Sequence, residues 1–325
     1  MTLPLQPTLK PELALSRKEL PTGEEWVYEV KLDGFRCLAF VDTPSGARGG
    51  DDVFLQSRNG KPLGRYFPEL TFPAGRYVLD GEIVVRDADG REDFDALGQR
   101  IHPAVSRIQR LAAETPAIYV AFDLLAHEDD SLLDLPLAER RAALEQLLAG
   151  QEFARAPIEL MPTVASADEA GRWLRDAEGA IAKELAAPYR PGERKGMVKV
   201  KRVRTIDAVL VGWRPGKEPD TVGALILGLY DGEELRVVGH TSGLSAAEKR
   251  RLVGFLAPYE SGERGSADPS RWSAGKELEW IGLRPELVVE IDFDHVSAGR
   301  IRHGAKLRRW RQDKPPRQCT YDQLT

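Results

Sequence analysis

The stretch Tyr28–Arg36, YEVKLDGFR, alternates apolar and charged residues around a single lysine. In a strand, successive side chains point to opposite faces, so Glu29, Lys31 and Asp33 share one face and Tyr28, Val30 and Leu32 the other. Asp33-Gly34 reads as a turn into a second strand, FRCLAFVD. Taken alone, the charged face is an ordinary solvated strand face. The competing reading is a lysine held between acids for chemistry, and the rest of the chain has to decide.

The chain has 325 residues, which suits two domains. Charged residues at 30% and hydrophobic residues at 42% indicate a soluble globular protein. The N-terminus, MTLPLQPTLKPE, lacks the basic and apolar regions of a signal peptide, and no apolar run is long enough to span a membrane. Cys37 and Cys319 form no CxxC pair, which argues against a cysteine-built zinc site and fits a reducing cytoplasm. The five histidines form no HExxH cluster. Net charge is −5, yet Arg300–Gln318 holds eight Lys/Arg and one acid, and a second basic cluster spans Arg190–Arg204. Local basic patches can bind phosphates even on an acidic protein, but on charge alone both clusters read as solvated faces.

The first two-thirds mixes strand and helix patterns. DVFLQSRNGKPL and RYVLDGEIVVRDADG read as strands with Gly-containing turns. SLLDLPLAERRAALEQLLAG reads as a helix closed by Gly150. SADEAGRWLRDAEG opens with Ser166 and Glu169 in capping-box spacing and predicts another helix. GAIAKEL and GMVKVKRV follow as short strands. After Val203 the pattern is mostly strands: DAVLVGWRPG, a hairpin around Asp231-Gly232, and ELVVEIDFDHVS. One helix, SAAEKRRLVGFLAPY, has a capping box at Ser245 and Glu248. The expected class is α+β, with one domain at 1–203 and a small β-barrel of the OB type at 204–325.

Six segments then occur in order: EVKLDGFR, SRNG (Ser57–Gly60), LDGEIV (Leu79–Val84), AFDLL (Ala121–Leu125), EGAIAK (Glu178–Lys183) with MVKVK (Met197–Lys201), and RWRQDK (Arg309–Lys314). Each is weak alone. In this order and spacing they resemble ATP-dependent DNA ligases of the covalent nucleotidyltransferase superfamily, most nearly the compact bacterial LigC type. RYFPEL, QRIHPAVSR and AERRAAL extend the resemblance outside the motifs. It implies an adenylation domain of antiparallel sheets with helices, followed by an OB-fold domain.

The resemblance implies that Lys31 is the nucleophile that takes AMP from ATP, hands it to a 5′-phosphate, and so lets a 3′-hydroxyl seal the nick. A lysine has to lose its proton first, since its reference pKa is about 10.4, and nearby cations and desolvation favour the neutral amine. By the same resemblance Asp33 orients Lys31 or holds metal-bound water, Glu82 binds the ribose, and Phe122 stacks on adenine. Glu178 coordinates Mg²⁺ or Mn²⁺. Lys199 and Lys201, two apart in a strand, grip the α-phosphate. Arg36 meets the ribose or the nick, Arg58 the nick 5′-phosphate, Glu29 the adenine side, and Arg194 phosphate or DNA. Arg311, Asp313 and Lys314 match a motif that reaches the ATP pyrophosphate as the barrel closes, which implies a hinge near Arg202–Thr205.

On pattern alone Phe122 reads as core and Glu82 as an exposed strand acid. Ala180 stands where the family has a bulkier aliphatic. No helical DNA-binding domain precedes the core, so modest, salt-sensitive affinity for nicked or gapped duplex is expected. The expected setting is a monomer in the bacterial cytoplasm, at the nucleoid, in base-excision or end-joining repair beside a primase-polymerase. An RNA ligase or a capping-type nucleotidyltransferase is the alternative. A non-catalytic OB-fold binder is disfavoured by the joint presence of Lys31, Glu82, Glu178, Lys199 and Lys201.

Overall fold

The computed structural model describes residues 3–43, 52–267 and 278–324. The chain divides into two compact units, Met1–Arg202 and Val203–Thr325.

In chain order the first unit contains β1 (Leu15–Ser16), β2 (Trp26–Val30), β3 (Phe35–Thr43), β4 (Val53–Ser57), β5 (Gly75–Val85), α1 (Phe94–Gln99), α2 (Val105–Glu114), β6 (Ala117–His127), β7 (Asp130–Ser131), α3 (Leu137–Leu148), β8 (Ile158–Leu160), β9 (Thr163–Val164), α4 (Ala167–Ala170), α5 (Trp173–Asp176), β10 (Gly179–Glu184) and β11 (Met197–Lys201). They build two sheets, β1-β11-β10-β2-β9 and β4-β3-β5-β6-β7, with β8 added parallel to β6. In β3, Cys37 to Val41 is buried without interruption, so this strand lies inside the unit on both faces. One face of the second sheet packs on Phe67, Leu97, Leu144 and Phe153. Its other face carries a separate apolar cluster of Leu32, Val84, Val120, Phe122 and Met161.

The opening stretch crosses between the sheets. The strand expected to run to Asp33 ends at Val30, and Lys31–Gly34 carries the chain from the first sheet into β3 of the second. Gly34 passes so close to β5 that an added Cβ would strike the Ile83 carbonyl oxygen. The alternation persists in β2, but both of its faces are interior: Tyr28 is 1% exposed and Glu29 3%.

The helix expected over Ser166–Gly179 is broken into α4 and α5, with Gly171 between them. Ser166 accepts the Asp168 N–H, not that of Glu169. The Ser245–Glu248 capping box forms as expected. α1 and α2 lie in a stretch to which the sequence analysis assigns no element.

The second unit comprises β12 (Arg204–Pro215), β13 (Val222–Asp231), β14 (Glu234–His240), α6 (Ala246–Leu256), β15 (Glu260–Ala267), β16 (Leu278–Leu283), β17 (Val288–Phe293), β18 (Val296–Ser297), β19 (Arg300–Ile301) and β20 (Lys306–Trp310). β12 organises it. One edge pairs with β13, while the other pairs first with β17 and, beyond Leu210, with β16. One strand feeding two partners curls the sheet around a core that includes Leu210, Leu227, Val289 and Leu252 of α6. The Asp231↔Glu234 hairpin turns at Gly232, φ +60°. The class is α+β, as expected: a unit of two sheets with helices, followed by a curled β-sheet of the OB type with one helix packed on its core.

Arg140 of α3 is fully buried and forks onto Asp123 of β6 at 2.8 and 2.9 Å, while its other nitrogen reaches the Leu135 carbonyl at 2.6 Å. Removing one partner strands the other charge. Arg140→Ala is expected to destabilise the first unit by about 3–5 kcal/mol, read from urea unfolding of the full chain; a loss below about 1 kcal/mol contradicts this account.

Candidate nucleotide-binding and catalytic site

A cavity of ≈ 170 Å³ opens between the two sheets of the first unit. β2, β10 and β11 line it with Glu29, Ile181, Lys183, Met197 and Lys199; β3, β5 and β6 supply Arg36, Glu82 and Phe122. Lys31 and Leu32 contribute from the crossing, and Arg58 and Arg194 from loops. The structure thus brings together eight expected residues: Glu29, Lys31, Arg36, Arg58, Glu82, Phe122, Arg194 and Lys199.

Lys31 is anchored by its backbone, whose N–H donates to the Gly179 carbonyl at 3.0 Å. Its Nζ pairs with the Glu178 carboxylate, and Lys201 Nζ lies 3.6 Å from the second oxygen of that carboxylate. Glu178 is set immediately before β10 by Gly179, whose φ is +149° and where an added Cβ would run into the Val200 carbonyl oxygen. Such an approach admits only glycine. Asp33 is 8% exposed and presents a carboxylate oxygen within 4.8 Å of one from Glu178. Two convergent carboxylates are a hard-oxygen donor pair of the kind that suits Mg²⁺ or Mn²⁺.

Lys199 stands among cations. Burial, then Lys201, Lys31, Arg58 and Arg194, pull its pKa below the usual lysine range. Glu82 is half-buried, and burial pushes its carboxyl up to about 7 against the pull of Arg36 and Lys31. Arg36 forks onto fully buried Asp80 at 2.5 and 2.6 Å and lays its guanidinium 4.4 Å from the Phe122 ring centre. Phe122 is 5% exposed. Lys183 Nζ lies 4.2 Å from the same ring centre and pairs with both oxygens of Glu29, at 2.9 and 2.8 Å. Burial raises the Glu29 pKa, with Lys183 opposing it.

In the second unit Arg311 and Lys314 converge on one carboxylate, Asp207, at 2.8 and 2.9 Å. Arg311 also forks onto Asp313 at 2.9 and 2.8 Å, which holds that carboxyl down to about 2.

The family model described as ATP dependent DNA ligase domain matches residues 11–201, and the one described as ATP dependent DNA ligase C terminal region matches 218–314. The chain belongs to the ATP-dependent DNA ligase family. DNA ligase C1 of Mycolicibacterium smegmatis is 44% identical, covering 100% of this chain and 96% of the relative. The multifunctional non-homologous end joining protein LigD of Pseudomonas aeruginosa is 33% identical over 98% of this chain and 37% of its own length. Among solved structures, mycobacterial DNA ligase D complexed with ATP and MES matches at 28% identity and TM-score 0.52, covering 97% of this chain and 98% of that one. The chain is a compact bacterial ligase of the LigC type, and its activity is ATP-dependent DNA ligation; the RNA-ligase and capping alternative is not favoured.

Sequence reasoning on this ligase missed Lys183, Asp80, Asp207 and Glu12. The first three carried a readable signal, a charge inside an apolar strand run: GAIAKEL, YVLDGEIVV and TIDAVLVG. Glu12 carried none, because LKPELAL has no period that places it inside. It is 3% exposed and lines the cavity. Burial pushes its carboxyl up to about 8, while the Arg190 backbone N–H and Arg140 act in the opposite direction.

Between an unfolded pKa of 4.5 and a folded value of about 8, the folded chain holds the extra proton at Glu12. This group's contribution to stability therefore falls as pH rises through that window and is flat outside it. Glu12→Gln has no proton to lose. Its melting temperature relative to wild type should climb from about pH 5 to about pH 8.5; a constant difference removes Glu12 as the cause.

Proposed function

We propose that this ligase works through a lysyl-AMP intermediate on Lys31 and seals 5′-phosphate/3′-hydroxyl breaks in duplex DNA. One observation supports this most: the Lys31 amine meets the Glu178 carboxylate at a cavity that also gathers Lys199, Arg58 and Arg194. The amine gives up its proton and attacks the α-phosphorus of ATP. A P–N bond forms, the bond to the β-phosphate oxygen breaks, and pyrophosphate leaves. A 5′-phosphate oxygen then attacks the same phosphorus and the lysine departs with a proton. Finally the 3′-hydroxyl, losing its proton, displaces AMP from the activated 5′-phosphate.

In this reading Phe122 stacks on adenine, Glu29 faces its edge and Glu82 takes the ribose hydroxyls. Lys199 and Lys201 neutralise the α-phosphate, Arg58 holds the nick 5′-phosphate, and Arg36 reaches the ribose or the nick. Arg311 and Lys314 bind the leaving pyrophosphate. Asp33 and Glu178 hold Mg²⁺ or Mn²⁺, which when bound supplies positive charge at the phosphates. We place the enzyme as a monomer in cytoplasmic, nucleoid-associated repair, acting on nicked or gapped DNA with end-joining proteins or a primase-polymerase. The relation to an end-joining protein supports that setting.

Incubated with ATP and Mg²⁺ or Mn²⁺, the wild-type chain should gain the mass of one adenylate, and Lys31→Ala none. GTP should give no such gain. Lys31→Ala should also lose sealing of a nicked duplex by at least about 10³-fold. Adenylation that persists in Lys31→Ala moves the nucleophile elsewhere.

A further inference from the structure

Lys183 has no part in the chemistry above, yet it is one of the most enclosed charges beside the cavity. Its side chain and that of Glu29 are each 4% exposed. The ammonium meets both Glu29 oxygens, at 2.9 and 2.8 Å, and also lies 3.4 Å from the Phe122 carbonyl oxygen. β2 and β10 are paired neighbours, with Glu29 opposite Ile181. Lys183, two residues beyond Ile181, therefore lies on the same strand face as Ile181.

Among the described residues Lys183 is the one hydrogen-bond donor to the Glu29 side chain. An ionised carboxylate has about four acceptor sites and no donor. The ammonium takes one site on each oxygen and leaves the others without a protein donor among the described residues, on a side chain that lines the same cavity as Phe122, Met161 and Ile181. A buried acceptor left without a donor is costly, so this edge selects a ligand that brings N–H groups. A ligand bringing a carbonyl oxygen sets acceptor against acceptor.

We propose that Lys183 is a positioning residue for nucleotide choice: it fixes Glu29 as an acceptor-only carboxylate that takes the exocyclic amine of adenine and refuses a base with oxygen or hydrogen there. This rests on the reading of the cavity as the ATP site. Apolar walls alone discriminate poorly between bases of equal size, whereas a hydrogen-bonding edge in a closed site discriminates strongly.

The test is self-adenylation of the full chain, with kcat and KM measured separately. Its substrates are ATP, purine riboside triphosphate (hydrogen in place of the amine) and inosine triphosphate (oxygen in its place). Wild type should show a KM about tenfold or more higher for each analogue than for ATP. In Lys183→Met the ATP KM should rise to within about twofold of the purine riboside value, with kcat at saturation little changed. Glu29→Gln/Lys183→Met, which buries no net charge, should keep the melting temperature and show the same collapse. That double variant decides the matter if Lys183→Met does not fold, and the wild-type comparison needs no variant. A merely structural role predicts equal losses for all three nucleotides with selectivity intact, and that result overturns the proposal. So does a wild-type chain that takes AMP readily but ignores the amine. Failure of wild type to take AMP from ATP at all defeats the reading of the site instead.

Discussion

Charge taken out of water between two sheets has to be answered at hydrogen-bonding distance, and the first unit is organised around that constraint. Glu29 is answered by Lys183, Asp80 by Arg36, and Asp123 by Arg140. Each pair ties two elements: β2 to β10, β3 to β5, β6 to α3. Such pairs add little net stability over well-packed apolar groups, but any shift of register that separates one is strongly penalised. The cavity walls are therefore held in place by the same charges that give the cavity its chemistry. Phe122 illustrates this, since its ring lies beside two cations, Arg36 and Lys183, that are each committed to a different carboxylate.

The second unit obeys the same rule nearer its surface. Asp207, on the long strand that curls the barrel, draws Arg311 and Lys314 to one point. Gln323 fixes that stretch of strand by bonding both the N–H and the C=O of Asp207. The motif residues of the barrel are thus presented as a charge-compensated cluster and not as loose surface cations.

Much of this was legible in the sequence. Strand runs, the Gly232 hairpin and the Ser245–Glu248 box depend on near neighbours, and a single sequence displays them. Eight of the expected site residues meet at one cavity, most of them because the motifs are short and pinned to a strand or turn. What could not be read depended on partners distant in sequence. Alternation in Tyr28–Asp33 paired the side chains by face but could not show that the strand stops at Val30, which is decided by the crossing into β3 and the fit of Gly34 against β5. Ser166 has the spacing of a capping box, but with Gly171 at the break the helix divides into two single turns and Glu169 is not recruited. Lys183 looks like one more strand lysine until the β2–β10 pairing brings Glu29, far away in the chain, within reach of its ammonium.

The Lys31–Glu178 contact has one further consequence. A lysine side chain attacks electrophiles through its nitrogen lone pair, and in the ion pair that lone pair carries a proton. In the proposed reading the nucleophile is therefore held as a salt, clasped by a carboxylate that also faces Lys201. Acyl, carbamoyl and aldehyde compounds that would consume a free amine find no lone pair there. In the proposed reading this contact has to open before chemistry can begin, so the same ion pair that holds the amine in place also keeps it in its unreactive form until ATP arrives.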